Sequence, residues 1–146
     1  MRHTAKQTRN IFICLLLLGL GRPEAAVPGQ NDGPAAAEKT LGIEKIVMCE
    51  DIKDYAPANA AVVFSLAIGK VYCYSAFNPV PRKMTIYHSW YRRDRLITSR
   101  RLTLEPPQWA TFSTIQLREP DKGPWRVEIR DADNNLLHVT RFSITD

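Results

Sequence analysis

The sequence predicts an all-β domain, specifically an antiparallel immunoglobulin-like β-sandwich of seven or eight strands. Short runs of β-branched and aromatic residues recur between turn signals over about 100 residues, as the strands of a sandwich do. No window of this region shows a sustained apolar repeat at helical spacing. A small β-barrel is the alternative architecture.

The N-terminus predicts export from the cytoplasm. Basic residues without an acidic partner precede an apolar run at residues 11–20. A run of this length suits the core of a secretory signal peptide, whereas a spanning helix needs roughly 20 residues. Small residues at Ala25 and Ala26 predict cleavage after Ala26. Residues 1–26 are therefore expected to be a signal peptide and the protein to be periplasmic or secreted, with an uncleaved membrane anchor as the alternative.

Residues 27–41 predict a flexible linker, because proline, glycine and alanine dominate them and no apolar periodicity is present. The domain itself is expected over residues 42–146, which is enough for one core. Residues 1–26 hold four basic residues and one acidic residue, a net +3 of the +5 of the whole chain. Since the remaining domain is nearly neutral, its composition does not support a nucleic-acid partner.

Eight strands are predicted within this domain. They span Gly42–Cys49, Ala61–Ala67, Lys70–Phe77, Lys83–Tyr91, Arg95–Leu104, Ala110–Leu117, Trp125–Asp131 and Leu136–Ile144. Segments rich in proline, asparagine and aspartate separate these strands, among them Ala56-Pro57-Ala58-Asn59. The turn at Asp133-Asn134-Asn135 is the best marked, because asparagine tolerates the left-handed conformation of tight hairpins.

In two of these strands, the alternation of residue types predicts which face points inward. In Lys83–Tyr91, His88 and Trp90 share one face with smaller apolar residues. In Trp125–Asp131, apolar residues alternate with charged ones, which indicates an apolar inner face and an ion-paired outer face. Trp90 and Trp125 are therefore predicted core residues. His88 is predicted to be a neutral, hydrogen-bonded core histidine, and a ligand-binding or pH-sensitive group is its alternative.

After removal of the signal peptide, Cys49 and Cys73 are the remaining cysteines. Two cysteines in an exported domain most often form a disulfide, which is the prediction here. Two buried free thiols are one alternative, and a metal or redox site with His88 is another. The metal site is disfavoured because three such residues fall short of four structural zinc ligands. No nucleophile or metalloprotease motif accompanies His88, so no catalysis, cofactor or metal is expected.

One basic cluster is denser than the rest of the domain. Residues 82–101 carry seven basic residues against one acidic residue. Five of them are the candidate binding residues Arg92, Arg93, Arg95, Arg100 and Arg101. Because arginine binds phosphate and carboxylate in a bidentate manner, this hairpin predicts a site for a protein partner or for an anionic membrane or glycan surface. The alternative is a charged strand edge that prevents aggregation.

The chain also resembles the bacterial domain-of-unknown-function family 2914 over about residues 43–146. The segments that carry the resemblance are Cys49, Phe64, residues 69–74, 88–91, 109–113, 123–128, 131–137 and 142–144. Ala110 and Asn135 stand where the family usually has arginine and glycine. The resemblance implies a domain often attached to membrane or envelope proteins, with no established activity and no catalytic residues.

The function expected from the sequence is therefore that of an exported, non-catalytic envelope module. It would bind a protein partner or an anionic surface. The alternative is a small metal- or redox-active protein that uses His88 with Cys49 and Cys73.

Overall fold

The computed structural model describes residues 40–146, which form nine strands and two short 3-10 turns. The strands are β1 (Ile43–Lys53), β2 (Ala56–Ala60), β3 (Val63–Ser65), β4 (Lys70–Phe77), β5 (Met84–Arg92), β6 (Arg95–Leu104), β7 (Trp109–Gln116), β8 (Gly123–Asp131) and β9 (Leu136–Thr145). The 3-10 turns are Leu66–Ile68 and Glu119–Asp121. The predicted signal peptide, residues 1–26, lies outside the described residues, as does nearly all of the predicted linker.

Within residues 40–146, no helix is long and apolar enough to cross a membrane.

The strands form two sheets that enclose one main core. The four-stranded sheet has the order β2-β1-β4-β7, and the five-stranded sheet has the order β3-β9-β8-β5-β6. The main core cluster takes side chains from both sheets, among them Cys73 and Phe77 of β4 and Trp90 of β5. The predicted all-β, sandwich-like fold is confirmed.

Three features depart from the predicted strand arrangement. The predicted strand Ala61–Ala67 is shortened to β3, and the 3-10 turn Leu66–Ile68 follows it. β3 pairs with β9 in parallel, so the five-stranded sheet is mixed rather than purely antiparallel. Residues 56–59, predicted as a turn, lie in β2. Pro57 signals a turn in the sequence, but β2 is an edge strand, where the missing N–H of a proline is tolerated.

The start of β1 is fixed by close backbone contact with the segment after β4. The N–H of Gly42 donates to the carbonyl oxygen of Pro79 at 2.9 Å, and the Gly42 carbonyl accepts from the N–H of Asn78 at 2.9 Å. A Cβ at position 42 would lie 2.2 Å from the Asn78 carbonyl oxygen. Glycine is therefore required here, because no larger residue fits between the two backbones.

Phe142 of β9 organises the aromatic part of the core. Its ring centroid lies 6.1 Å from that of Phe64 and 6.0 Å from those of Trp90 and Trp125. The contacts with Phe64 and Trp90 are edge-to-face, and the contact with Trp125 is stacked. One side chain thus joins β3, β5 and β8 through aromatic pairs of favourable geometry.

We expect Phe142→Ala to lower the free energy of unfolding by about 3–5 kcal/mol, because it leaves a cavity among three aromatic rings. Urea denaturation followed by circular dichroism measures this change. Phe112→Ala is the matched control, since Phe112 is 44% exposed and Phe142 only 4%. The control should cost about 1 kcal/mol or less, and similar losses for both variants would contradict the assigned core.

Candidate functional site

His88 lies at the centre of a buried polar network between the two sheets. Its Nε2 is 3.0 Å from Oγ of Ser75 on β4, and its Nδ1 is 2.9 Å from Oγ of Ser113 on β7. The indole N–H of Trp90 donates to the same Ser113 oxygen at 3.0 Å. All four side chains are buried, with His88, Ser75 and Trp90 at 0% exposure. The network therefore joins β5 of one sheet to β4 and β7 of the other.

The two serines match a neutral imidazole. A neutral histidine has one N–H and one lone pair in its ring, and a hydroxyl group can either donate or accept. Ser75 and Ser113 can therefore satisfy both nitrogens of His88 in either tautomer. Burial lowers the pKa of His88 to about 4, because the charged form would lose its hydration. His88 is therefore neutral near pH 7. His88 and Trp90 are fully buried and Trp125 is 4% exposed, so all three occupy core positions.

Cys49 and Cys73 are buried free thiols, which corrects the predicted disulfide. Their strands, β1 and β4, are neighbours, but the register pairs Met48 with Cys73 and Cys49 with Tyr72. Residues directly opposite each other point to the same face of a sheet, and successive residues point to opposite faces. Cys73 therefore faces the main core, whereas Cys49 packs in a separate cluster on the outer face. A bridge would require a one-residue change of register.

His88, Cys49 and Cys73 are consequently not arranged as one site. Cys73 shares the interior with His88, but Cys49 lies on the other side of its sheet. Burial raises the pKa of the Cys73 thiol to about 12 and also raises that of Cys49, so both are protonated thiols near neutral pH. No group of three potential metal ligands occurs among residues 40–146.

The predicted arginines lie on the β5–β6 hairpin but not on one face. Arg93 and Asp94 form its two-residue turn, with φ values of 45° and 64°. The register pairs Arg100 with His88 and Arg101 with Tyr87. Because neighbouring residues alternate in direction, Arg100 points to the core side of the sheet and Arg101 to the outer side. Arg95 lies at the end of the hairpin, paired with Arg92.

Arg92 is engaged within the molecule. It forms an ion pair with Asp121, with an Nη1 to Oδ1 distance of 3.2 Å, and also donates to the carbonyl oxygen of Pro120. Its side chain is 27% exposed. Arg92 therefore connects the end of β5 to the 3-10 turn Glu119–Asp121 and is less accessible than its neighbours on β6.

Arg93, Arg95, Arg100 and Arg101 are exposed and take part in none of the ion pairs found within residues 40–146. By contrast, Arg126 and Arg130 of β8 both pair with Glu128, at 2.9 and 2.8 Å. The arginines of β8 are thus paired with Glu128, whereas these four arginines of the β5–β6 hairpin are not paired.

A groove of about 500 Å³ lies on the side of the sandwich between β6 and β7. These strands are the edges of the two different sheets. Apolar side chains of Ile97, Ile115 and Trp125 line the groove together with Arg100 and Arg118. We call it the β6–β7 groove. Its one acidic lining residue, Asp121, already pairs with Arg92, so the groove combines apolar surface with two uncompensated cations.

Two residues of this groove were missed by sequence reasoning. Arg118 was not predicted because it lies beyond β7, and it lines the same groove as Arg100 only when the two sheets pack. Ile97 was treated as part of a strand, yet it is 46% exposed and its neighbour Leu96 is 51% exposed. The signal that could have revealed the groove is this pair of aliphatic residues between Arg95 and Arg100, since an edge that only resisted aggregation would not need them.

Residues 83–144 match the family described as "Protein of unknown function (DUF2914)". The resemblance predicted from the sequence is therefore confirmed over these residues, although the predicted span of residues 43–146 was longer. The matched segment contains β5 to β8 and most of β9, and with them His88 and the β6–β7 groove. No curated protein matches the chain at a significant level.

Two similar solved structures are beta-glucosidases, each 11% identical to this chain. The Se-Met labelled enzyme from Kluyveromyces marxianus matches over 73% of this chain and 14% of its own, with a TM-score of 0.42. The GH3 enzyme from Bifidobacterium adolescentis matches over 72% of this chain and 17% of its own, with a TM-score of 0.40. The chain thus spans less than a fifth of either enzyme, and these TM-scores are too low to assign a shared topology or function.

We expect the free energy of unfolding to fall by roughly 3 kcal/mol between pH 7 and pH 4, because the pKa of His88 is about 4 when folded and 6.5 in a model peptide. The unfolded chain binds the proton first, so stability is lost as the pH falls below 6.5 and levels off below 4. Urea denaturation at a series of pH values measures the loss.

The variant His88→Gln should be less stable at pH 7 but should lack this part of the pH dependence. His138→Gln, which changes the other histidine of the described chain, should retain it. A decline between pH 6.5 and 5 that persists in His88→Gln would show that another group is responsible.

We expect Cys49 and Cys73 to resist thiol reagents in the native protein and to react once it is denatured, without prior reduction. Both are buried, and both thiols have raised pKa values. Alkylation with and without a reductant, followed by peptide mapping, tests this at each cysteine separately. A peptide pair joined through Cys49 and Cys73 would contradict the register of β1 and β4.

Proposed function

We propose that the chain is an exported, non-catalytic binding module of the cell envelope, and that it binds an extended acidic segment of a protein partner in the β6–β7 groove. The observation that carries the proposal is the position of two arginines that line one apolar groove, Arg100 on β6 and Arg118 in the segment that follows β7. The compartment is supported by the basic and apolar pattern of residues 1–26.

The chemistry of the groove favours an acidic partner with apolar side chains. Arg100 and Arg118 can form bidentate contacts with carboxylates. Ile97, which is 46% exposed, and the partly buried Ile115 provide apolar surface of the kind that interface cores commonly use. A flat anionic membrane would meet exposed cations, but it would leave this recessed apolar surface unfilled.

The strands beside the groove favour an extended segment. β6 has ten residues and β7 has eight, and each pairs with only one neighbouring strand in its sheet. The other edge of each strand therefore offers backbone N–H and C=O groups to a partner, which is the basis of recognition by strand addition. Exposed Leu96 and Ile97 lie on the longer of these edges.

We also propose an immunoglobulin-like topology for the sandwich. In such folds one sheet contains strands A, B and E, and the other contains C, F and G with C′ beside C. The order β1-β4-β7 in one sheet and β9-β8-β5-β6 in the other supports this assignment, with β4 as strand B and β5 as strand C. β2 and β3 are then additional edge strands.

Binding of a fluorescein-labelled decapeptide of alternating glutamate and valine, measured by fluorescence anisotropy, tests the groove. We expect the double variant Arg100→Ser, Arg118→Ser to raise the dissociation constant about tenfold, since two charge contacts at about 0.7 kcal/mol each are lost. Binding should weaken as salt increases. Arg101→Ser is the matched control, because Arg101 adjoins Arg100 on the opposite face, and it should change the constant less than about twofold.

Three outcomes would contradict the proposal. The first is equal binding by the double variant and the native chain, and the second is equal loss in Arg101→Ser. The third is binding to phosphatidylglycerol vesicles but not to the peptide, which would replace the protein partner with the membrane surface. Vesicles of phosphatidylcholine provide the uncharged comparison for that arm.

A further inference from the structure

A recess of about 140 Å³ lies on the outer face of the five-stranded sheet, beside the turn between β5 and β6. Three arginines, one aspartate and one tyrosine form most of its lining, namely Arg93, Arg126, Arg141, Asp94 and Tyr91. We call it the arginine recess. Trp125, a core residue that is 4% exposed, is the one lining residue that it shares with the β6–β7 groove.

The register of the sheet places three of these side chains in one row. Tyr91 of β5 pairs with Arg126 of β8, and Arg126 pairs with Arg141 of β9. Residues directly opposite each other point to the same face of a sheet. The next residues along β8 and β9, Val127 and Phe142, are core residues. Because successive residues alternate in direction, the row lies on the face turned away from the core.

Arg126 is held in place by three contacts. Its Nε donates to Oε1 of Glu128 at 2.9 Å, its Nη1 pairs with the carboxylate of Asp94, and its Cζ lies 4.2 Å from the ring centroid of Tyr91. Its Nη2 takes part in none of the hydrogen bonds and ion pairs found within residues 40–146. The guanidinium is thus positioned with N–H donors still available, and a donor that is already ordered loses less entropy when it binds a ligand.

Arg93 is brought to the recess by the turn between β5 and β6. The turn is held to the start of β8, because the N–H of Arg93 donates to the carbonyl oxygen of Pro124 at 3.3 Å. The side chain also folds back over β8, since a Cβ at Gly123 would lie 3.5 Å from Nη2 of Arg93. Arg93 has a φ of 45°, a conformation for which such turns prefer asparagine or glycine. An arginine kept in this backbone conformation points to a role for its side chain.

The positive charges of the recess oppose one another. Arg126 and Arg141 lie directly opposite each other on β8 and β9, an arrangement that is unfavourable for like charges. Neither Arg93 nor Arg141 takes part in any of the ion pairs in the described part of the chain. The glutamate that binds Arg126 also binds Arg130, so it adds no net negative charge. With three arginines and one aspartate, the lining residues carry a net charge of +2, and an anion would relieve their repulsion.

We propose that the arginine recess binds a phosphate monoester group. Such a group carries a charge of about −1.5 to −2 at pH 7 and three acceptor oxygens, which match the net charge of the recess and its three guanidinium groups. A carboxylate carries a single charge and would leave half of the positive charge uncompensated. Pockets for whole drug-sized ligands begin at roughly 300 Å³. The recess is smaller, so it would hold the phosphate group itself while the rest of the ligand lies outside.

Titration with glycerol 3-phosphate, followed through the arginine Nε–H signals by NMR, tests the recess. We expect a dissociation constant of about 1 mM, the scale of a few charge-assisted hydrogen bonds after the entropy cost of binding. Arg141→Ser and Arg93→Asn should each raise this constant about tenfold, because each removes one such contact. Arg95→Ser is the matched control, since Arg95 is an exposed arginine of the same hairpin that does not line the recess. It should change the constant less than about twofold.

Melting temperatures distinguish loss of binding from loss of folding. In phosphate-free buffer, Arg141→Ser should melt about 1–2 °C above the native chain, because its repulsion with Arg126 is removed. Arg93→Asn should melt no lower than the native chain, since asparagine favours the conformation of this turn. Saturating glycerol 3-phosphate should raise the melting temperature of the native chain but not that of Arg141→Ser. A variant that melts lower and binds less would make its arginine a folding residue and overturn the proposed role.

Lipid vesicles distinguish a soluble phosphate ester from a lipid headgroup. Phosphatidic acid presents a phosphate monoester at a membrane surface, whereas phosphatidylglycerol presents a diester of lower charge. Binding to phosphatidic acid vesicles at phosphate concentrations far below the constant for glycerol 3-phosphate would assign the lipid as the ligand, and equal or weaker binding would assign the soluble ester. Either result supports the recess if Arg141→Ser weakens it. Equal binding to both kinds of vesicle would overturn recognition of a monoester.

Three further results would overturn the proposal. One is that neither glycerol 3-phosphate nor phosphatidic acid binds, and another is that acetate binds as tightly as glycerol 3-phosphate. The third is an equal loss in Arg95→Ser, which would assign the binding to the overall charge of the hairpin. The double variant Arg100→Ser, Arg118→Ser should bind glycerol 3-phosphate unchanged, so this proposal and that for the β6–β7 groove can fail independently.

Discussion

The pair of hydrogen bonds that His88 makes across the sandwich is the interaction on which the rest of the structure depends. Apolar packing between two sheets is non-directional, and many relative positions bury similar area. The contacts of His88 with Ser75 and Ser113 are directional, because a buried polar atom that loses its partner is costly. They therefore select one alignment of β5 against β4 and β7. The indole N–H of Trp90 reinforces it by donating to Oγ of Ser113.

That alignment determines where the proposed binding surface lies. It brings Arg100 of the five-stranded sheet beside Arg118, which follows the last strand of the other sheet. It also directs Ser113 inward, which leaves Phe112 facing outward. The interior and the β6–β7 groove are thus consequences of the same strand register. A shift of that register by one residue would exchange the buried and exposed side chains along β7.

Local patterns predicted the strands well, because alternation and turn residues are properties of neighbouring positions. The inner face of β5 and the asparagine turn before β9 are examples, and in that turn Asn134 has a φ of 67°. The sequence did not predict β2, because Pro57 indicates a turn unless its strand is already known to lie at the edge of a sheet. The cysteine pairing and Arg118 could not be predicted, because the first depends on a register difference of one residue and the second on how two sheets meet.

The two cysteines, set on opposite faces of one sheet, have a consequence for where the domain can fold. Cys73 is buried in the main core and Cys49 in the outer cluster, both as thiols, so formation of the domain requires no oxidant and no disulfide-forming catalyst. A reducing compartment and an oxidising one therefore meet the requirements of its folding equally. The domain can be produced in a reducing host cytoplasm in the same covalent form that it would have outside the cell.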